Sequence, residues 1–183
     1  GTALGNPGTD WYPAPLDSPN VGPLYVELIE ATRSALAELT TAGDTYTVHG
    51  LFWHQGESDV SRTAEYYDLM TALIEGVRRD LGMPNLRFVI GELASTKAQT
   101  FRDVQWEIAR TIPNADFISA SDLTTTDGTH FDTPSMITYG ERVGYAFRPD
   151  RNTLNFEQPI YTTGALDRQD EWSAASALEV VAT

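Results

Sequence analysis

A chain of 183 residues, 41% of them hydrophobic, is long enough to bury the core of one domain. Its formal net charge of -14, with Lys97 as the only lysine, sets its long-range field against polyanions, so nucleic acid is not an expected partner. Cysteine is absent, which excludes disulfides, thiolate nucleophiles and Cys-ligated zinc together, and no apolar run approaches the roughly 20 residues that a membrane-spanning helix needs.

Gly1 to Gly22 is rich in proline and glycine and reads as a loop, with Trp11 and Tyr12 as anchors onto the body. No basic and apolar leader opens the chain, and Gly1-Thr2-Ala3-Leu4-Gly5 reads as the middle of something, so a processed chain or a fragment is expected. Leu24, Leu28, Ala31, Ala35 and Leu39 recur at helical spacing and predict a helix from Pro23 to about Thr40, ended by Gly43-Asp44. Thr45 to Trp53 mixes β-branched and aromatic residues over the length of a strand. Tyr66, Met70, Leu73 and Val77 mark a second helix that closes at Gly82, with Pro84 just beyond. Leu86 to Ile90 is a short apolar strand, Phe101 to Thr111 a helix, and Ala115 to Ser119 a third strand. Thr133-Pro134 carries the cap-then-proline signature of a helix reaching about Phe147. Such alternation predicts an α/β fold, a parallel sheet with helices on its faces. Beyond Pro149 the pattern weakens, and Leu178, Val180 and Val181 fit either a short helix or an edge strand. The expected organisation is therefore one domain over 1–148 and an extension over 149–183, with the edge of the Thr45–Trp53 strand covered by another chain or by this tail.

Chemistry gathers at two places. Trp53-His54-Gln55-Gly56-Glu57-Ser58-Asp59 ends the first strand in a knot of polar groups, and ligands in open α/β sheets sit at the carboxyl ends of strands. Asp127-Gly128-Thr129-His130-Phe131-Asp132 lies in the loop after the third strand, where a carboxylate three residues before a histidine folds back onto one ring nitrogen and leaves the other as a general base. A plain capping loop with His130 merely exposed is the bland alternative. The two loops are expected to converge on one edge of the sheet.

In order and spacing, Gly1-Thr2, Trp53 to Asp59 and Asp127 to Phe131 resemble the SGNH/GDSL hydrolases. More narrowly they resemble sialate O-acetylesterase-like domains and the acetylxylan esterases of carbohydrate esterase family 6. The resemblance implies a flavodoxin-like three-layer α/β/α fold whose first strands are absent from these 183 residues, and removal of O-acetyl groups from carbohydrate by a Ser-His-Asp mechanism. Within it His130 matches the catalytic base, Asp127 the acid that orients it, Gln55 an oxyanion donor, and Gly1 the source of a backbone N–H in the same hole. Glu57 is either an auxiliary acid or a brace for its loop. The family's Gly-Gln-Ser-Asn block, which carries the nucleophile, does not occur in the sequence, and neither Ser58 nor Ser61 sits on an equivalent elbow. The serine is accordingly expected from an amino-terminal segment or a second chain. The other expectations are an acetylated carbohydrate substrate, no cofactor, no membrane partner, and a secreted or periplasmic location.

Two other readings compete. One is a non-catalytic carbohydrate-binding or structural remnant of the same fold, with Trp11, Trp53, Trp106 and Trp172 available to stack on sugars. The other is a metal site drawn from His54, Glu57, His130 and Asp132.

Overall fold

The computed structural model describes residues 2–148 and the strand at 178–182. Helix α1 (Pro23–Ala42) opens with proline in its first turn, where no intrahelical N–H is needed, and stops at Gly43, whose left-handed φ of 80° lets its N–H return to the Leu39 and Thr40 carbonyls. Strand β1 (Tyr46–Trp53) follows, then a single tight helical turn over Val60–Arg62 and helix α2 (Thr63–Asp80). Strand β2 (Phe88–Gly91), helix α3 (Gln99–Thr111), strand β3 (Ala115–Ile118) and helix α4 (Thr133–Ala146) complete the alternation. Strand β4 (Leu178–Ala182) comes from the tail.

The sheet order is β3-β2-β1-β4. The first three strands are parallel, with Leu51 beside Phe88, Trp53 beside Ile90, and Ile90 beside Phe117. β4 runs antiparallel along the other edge of β1, with Val48 opposite Val180, so the tail forms a strand and covers that edge.

Alternation along the strands divides the core between the two faces of the sheet. Leu51, Trp53, Phe88 and Ile90 pack with Tyr25 and Ile29 of α1, Met70 and Leu73 of α2, and Phe101 and Ile108 of α3. Val89 and Ile118 turn the other way, onto Tyr139 and Ala146 of α4 and the adjoining Phe147, with Phe52 packed alongside. Helices on both faces of a parallel sheet make the α/β fold that the sequence predicts. The parallel direction also brings His54, Glu92 and Ser119, each the first residue past its strand, to one edge.

At that edge Gly91 leaves no room for a side chain. A Cβ there would run into the Tyr139 hydroxyl and lie 3.0 Å from His54 Nδ1 and 3.0 Å from Phe52 Cε2. Gly91→Ala should therefore lower the unfolding free energy by about 1–3 kcal/mol, the usual cost of overpacking. In a urea double-mutant cycle the loss should be smaller in a Tyr139→Phe background, where the obstructing oxygen is gone.

Candidate active site at the carboxyl edge of the sheet

The His130 loop is held by its own backbone. Thr126 N–H donates to the His130 carbonyl at 2.9 Å, Thr125 and Phe131 form a bridge, and Gly128 takes the left-handed turn at φ 81°. Inside this turn Asp127 Oδ1 accepts from the N–H groups of Thr129 (2.9 Å) and His130 (2.8 Å), and its Oδ2 lies 2.7 Å from His130 Nδ1. Those bonds, the His130 N–H foremost, then its ring, then the Thr129 N–H, hold the Asp127 carboxyl well below the usual carboxylate range. An ionised Asp127 accepts the Nδ1 proton, leaving the other ring nitrogen as the basic one, without a partner among the described residues. The ring is 77% exposed.

Asp132 is committed elsewhere. It caps α4 by accepting from Ser135 N–H at 2.9 Å and also takes the Thr124 hydroxyl, which removes it from the imagined metal set. No three histidine or carboxylate side chains gather as metal ligands among the described residues. Two further bonds tie the His130 loop to the loop after β2: Thr96 Oγ1 donates to the Gly128 carbonyl at 2.5 Å, and Lys97 Nζ to Thr129 Oγ1 at 2.7 Å.

The loop after β1 meets this one through aromatic rings. His54 packs against Phe131, the neighbour of His130, with ring centroids 5.8 Å apart, and against Tyr139 at 5.3 Å. Its Nδ1 is 3.1 Å from the Tyr139 hydroxyl and its Nε2 3.8 Å from Glu57 Oε1. Burial pushes the His54 imidazole below its ordinary value, and the Glu57 charge opposes that shift. Gly56, at φ 140°, admits no side chain because a Cβ would lie 2.6 Å from the Phe101 ring.

Gln55 is bound more tightly than its place in a turn suggests. Its Nε2 donates to Asp59 Oδ2 at 2.5 Å and to the Thr2 carbonyl at 2.9 Å, so both amide hydrogens are engaged within the chain. Asp59 is fully buried and also accepts the Leu4 N–H at 2.9 Å.

The structure thus forms the Asp127–His130 pair and places Gln55 and Glu57 on a loop whose His54 packs against Phe131, the residue after His130. Glu57 faces His54. Gly1 and Trp172 lie outside the described residues, although Thr2, next to Gly1, touches Gln55 directly. Tyr139 and Lys97 are the participants that sequence reasoning passed over, and Asp59, although part of the first polar knot, was given no role of its own. Asp59 has the signature of an ordinary turn residue before a helix, and only its tertiary burial distinguishes it.

A parallel sheet with helices on both faces and polar loops at its carboxyl edge is the architecture of the SGNH-type hydrolases. The family model described as "Carbohydrate esterase, sialic acid-specific acetylesterase" matches residues 3–148, and the chain belongs to that family. A solved structure of a protein from Arabidopsis thaliana is similar to it at 24% identity and a TM-score of 0.57, over 69% of this chain and 52% of that one. The chain therefore spans about half the length of that protein, and the likeness concerns the fold. No curated protein matches it.

The buried His54 makes stability depend on pH. A histidine whose folded value lies below its unfolded value of about 6.5 takes up a proton first in the unfolded chain, so stability falls as the pH drops below that value. The carboxylates held low, such as Asp127 and Asp80, lose their contribution only as the pH falls through the carboxylate range, near 4 and below. Unfolding free energies should therefore decline between pH 7 and 5, and His54→Gln should flatten that decline without altering the acid limb.

Proposed function

We propose that this chain supplies the base, the orienting acid and an oxyanion donor of a carbohydrate O-acetylesterase whose serine comes from outside these 183 residues. The observation that carries the reading is the Asp127–His130 pair, in which one carboxylate holds the ring through Nδ1 and the ring's own backbone N–H. No serine hydroxyl bonds to the His130 ring among the described residues, and the sequence lacks the family's nucleophile block, which supports an external serine.

In the proposed reaction a serine hydroxyl attacks the acetyl carbonyl of an O-acetylated sugar while His130 accepts its proton. The tetrahedral oxyanion takes the Gln55 N–H now bonded to Thr2, because the buried Asp59 keeps the other; Gly1 N–H is the second donor. Collapse expels the sugar alkoxide, which receives the proton from His130. Water, deprotonated by His130, then attacks the acetyl-serine, and collapse breaks the acyl–oxygen bond, returning the proton from His130 to the serine oxygen and releasing acetate. Glu57 acts through His54, which it faces, as a brace or auxiliary acid. The family description supports a sialate-type substrate, and acetylxylan is the other candidate.

The test is hydrolysis of p-nitrophenyl acetate by the chain alone and by the chain joined to, or mixed with, a serine-bearing amino-terminal segment. The chain alone should turn over poorly, and the completed protein should be active and inactivated by a serine-directed phosphonate. His130→Ala should abolish the activity. Gln55→Ala should lower kcat by about 10²- to 10³-fold with less change in KM, since an oxyanion donor acts mainly on the transition state. Full, phosphonate-insensitive turnover by the chain alone that His130→Ala leaves intact would overturn the reading.

A further inference from the structure

Lys97 stands at the rim of the His130 loop. It precedes α3 and reaches across to Thr129, one residue before His130, where its ammonium donates to a neutral hydroxyl. The chain has 26 acidic and 12 basic residues, yet among the described residues Lys97 forms no ion pair. Arg87, Arg102 and Arg142 each hold a carboxylate (Asp116, Glu92 and Asp122), and Arg33 and Arg78 are taken up by backbone carbonyls. An ammonium has three donors, and the Thr129 bond occupies one of them. The only lysine of an acidic chain is thus a half-buried cation with no ion pair among the described residues, bonded to the residue before His130.

We propose that Lys97 is the anion anchor of this site, binding the carboxylate of an acidic sugar whose acetyl ester is presented to His130. The assignment rests on the esterase reading for the location of the substrate and adds the residue that selects it. A net charge of -14 repels such a sugar at a distance, but charges more than about 8 Å away are largely screened at physiological ionic strength, and the cation in contact prevails. A carboxylate accepts a charge-assisted hydrogen bond from the ammonium, whereas a neutral sugar offers only hydroxyls. The Thr129 bond holds the ammonium at the loop that carries His130. As a mere clasp between two loops, Lys97 would affect charged and neutral ligands alike.

The test compares N-acetylneuraminic acid with its methyl ester, the same sugar without the charge, by NMR titration of the 183-residue chain. The acid should bind roughly five- to tenfold more tightly than the ester, in the range of an exposed charge-assisted hydrogen bond. That ratio should fall to about one in Lys97→Gln, survive in Lys97→Arg, and shrink as salt is raised. Thermal unfolding of each variant verifies that the fold is retained. Equal binding of acid and ester by the unaltered chain, a preference that persists in Lys97→Gln, equal weakening of both ligands in that variant, or binding of neither at millimolar concentration would each overturn the proposal. The titration needs no turnover, so a Lys97-dependent preference in a protein that stays inactive with its serine supplied would remove the hydrolase reading and leave the anchor standing.

Discussion

Much of the carboxyl edge is tied together by one buried carboxylate. Glu92, immediately past β2, takes the Arg102 guanidinium of α3 on Oε1 at 2.9 and 2.8 Å. Its Oε2 takes the Ser119 hydroxyl at 2.8 Å and the Ala120 N–H at 2.6 Å, and its backbone carbonyl accepts the Tyr139 hydroxyl at 3.1 Å. A helix, the root of the His130 loop and α4 are thereby held in register with the central strand. Removing one partner of such a pair typically costs about 3–5 kcal/mol, because the charge that remains is stranded away from water. The geometry of the candidate site thus depends on a carboxylate that belongs to neither of its two polar loops.

The two polar loops are built on opposite physical terms. Asp127 and His130 lie in solvent, where a bare ion pair would be weak and screened, so their orientation comes from the turn that aims two backbone N–H groups and a ring at one carboxylate. Asp59 and Gln55 are organised by enclosure. The amino-terminal strip closes over them through the Leu4 N–H, the bond from Arg62 to the Gly5 carbonyl, and Trp11, which bonds Thr2 and meets Trp53 edge-on at 5.1 Å. One loop therefore keeps its carboxylate in solvent and the other encloses its carboxylate in the core.

Much of the fold was legible because periodicity reports burial. Leu73 and Val77 announced α2, the run through Trp53 announced β1, and Thr133-Pro134 marked the start of α4. α3 begins at Gln99, ahead of the expected Phe101, because Ala98 occupies the cap position and offers no side-chain signal. The pairing of β4 with β1 spans more than a hundred residues, and nothing local in Leu178 to Ala182 decides between helix and strand. At the site, Asp127 and His130 were readable from a three-residue spacing that a turn closes by itself. The burial of Asp59, the clasp between Lys97 and Thr129, and the contact between Tyr139 and His54 join residues far apart in the chain, and no one-dimensional pattern encodes them.

A chain with a single lysine has one side-chain amine, and here the Lys97–Thr129 clasp places it on the rim of the His130 loop. Amine-directed reagents such as succinimidyl esters or biotinylation agents would therefore attach a side-chain label at that rim and nowhere else on the described surface. A protein coupled through this amine to a sensor surface would present its site to the matrix, whereas a fluorophore there would sit where it reports on an occupant.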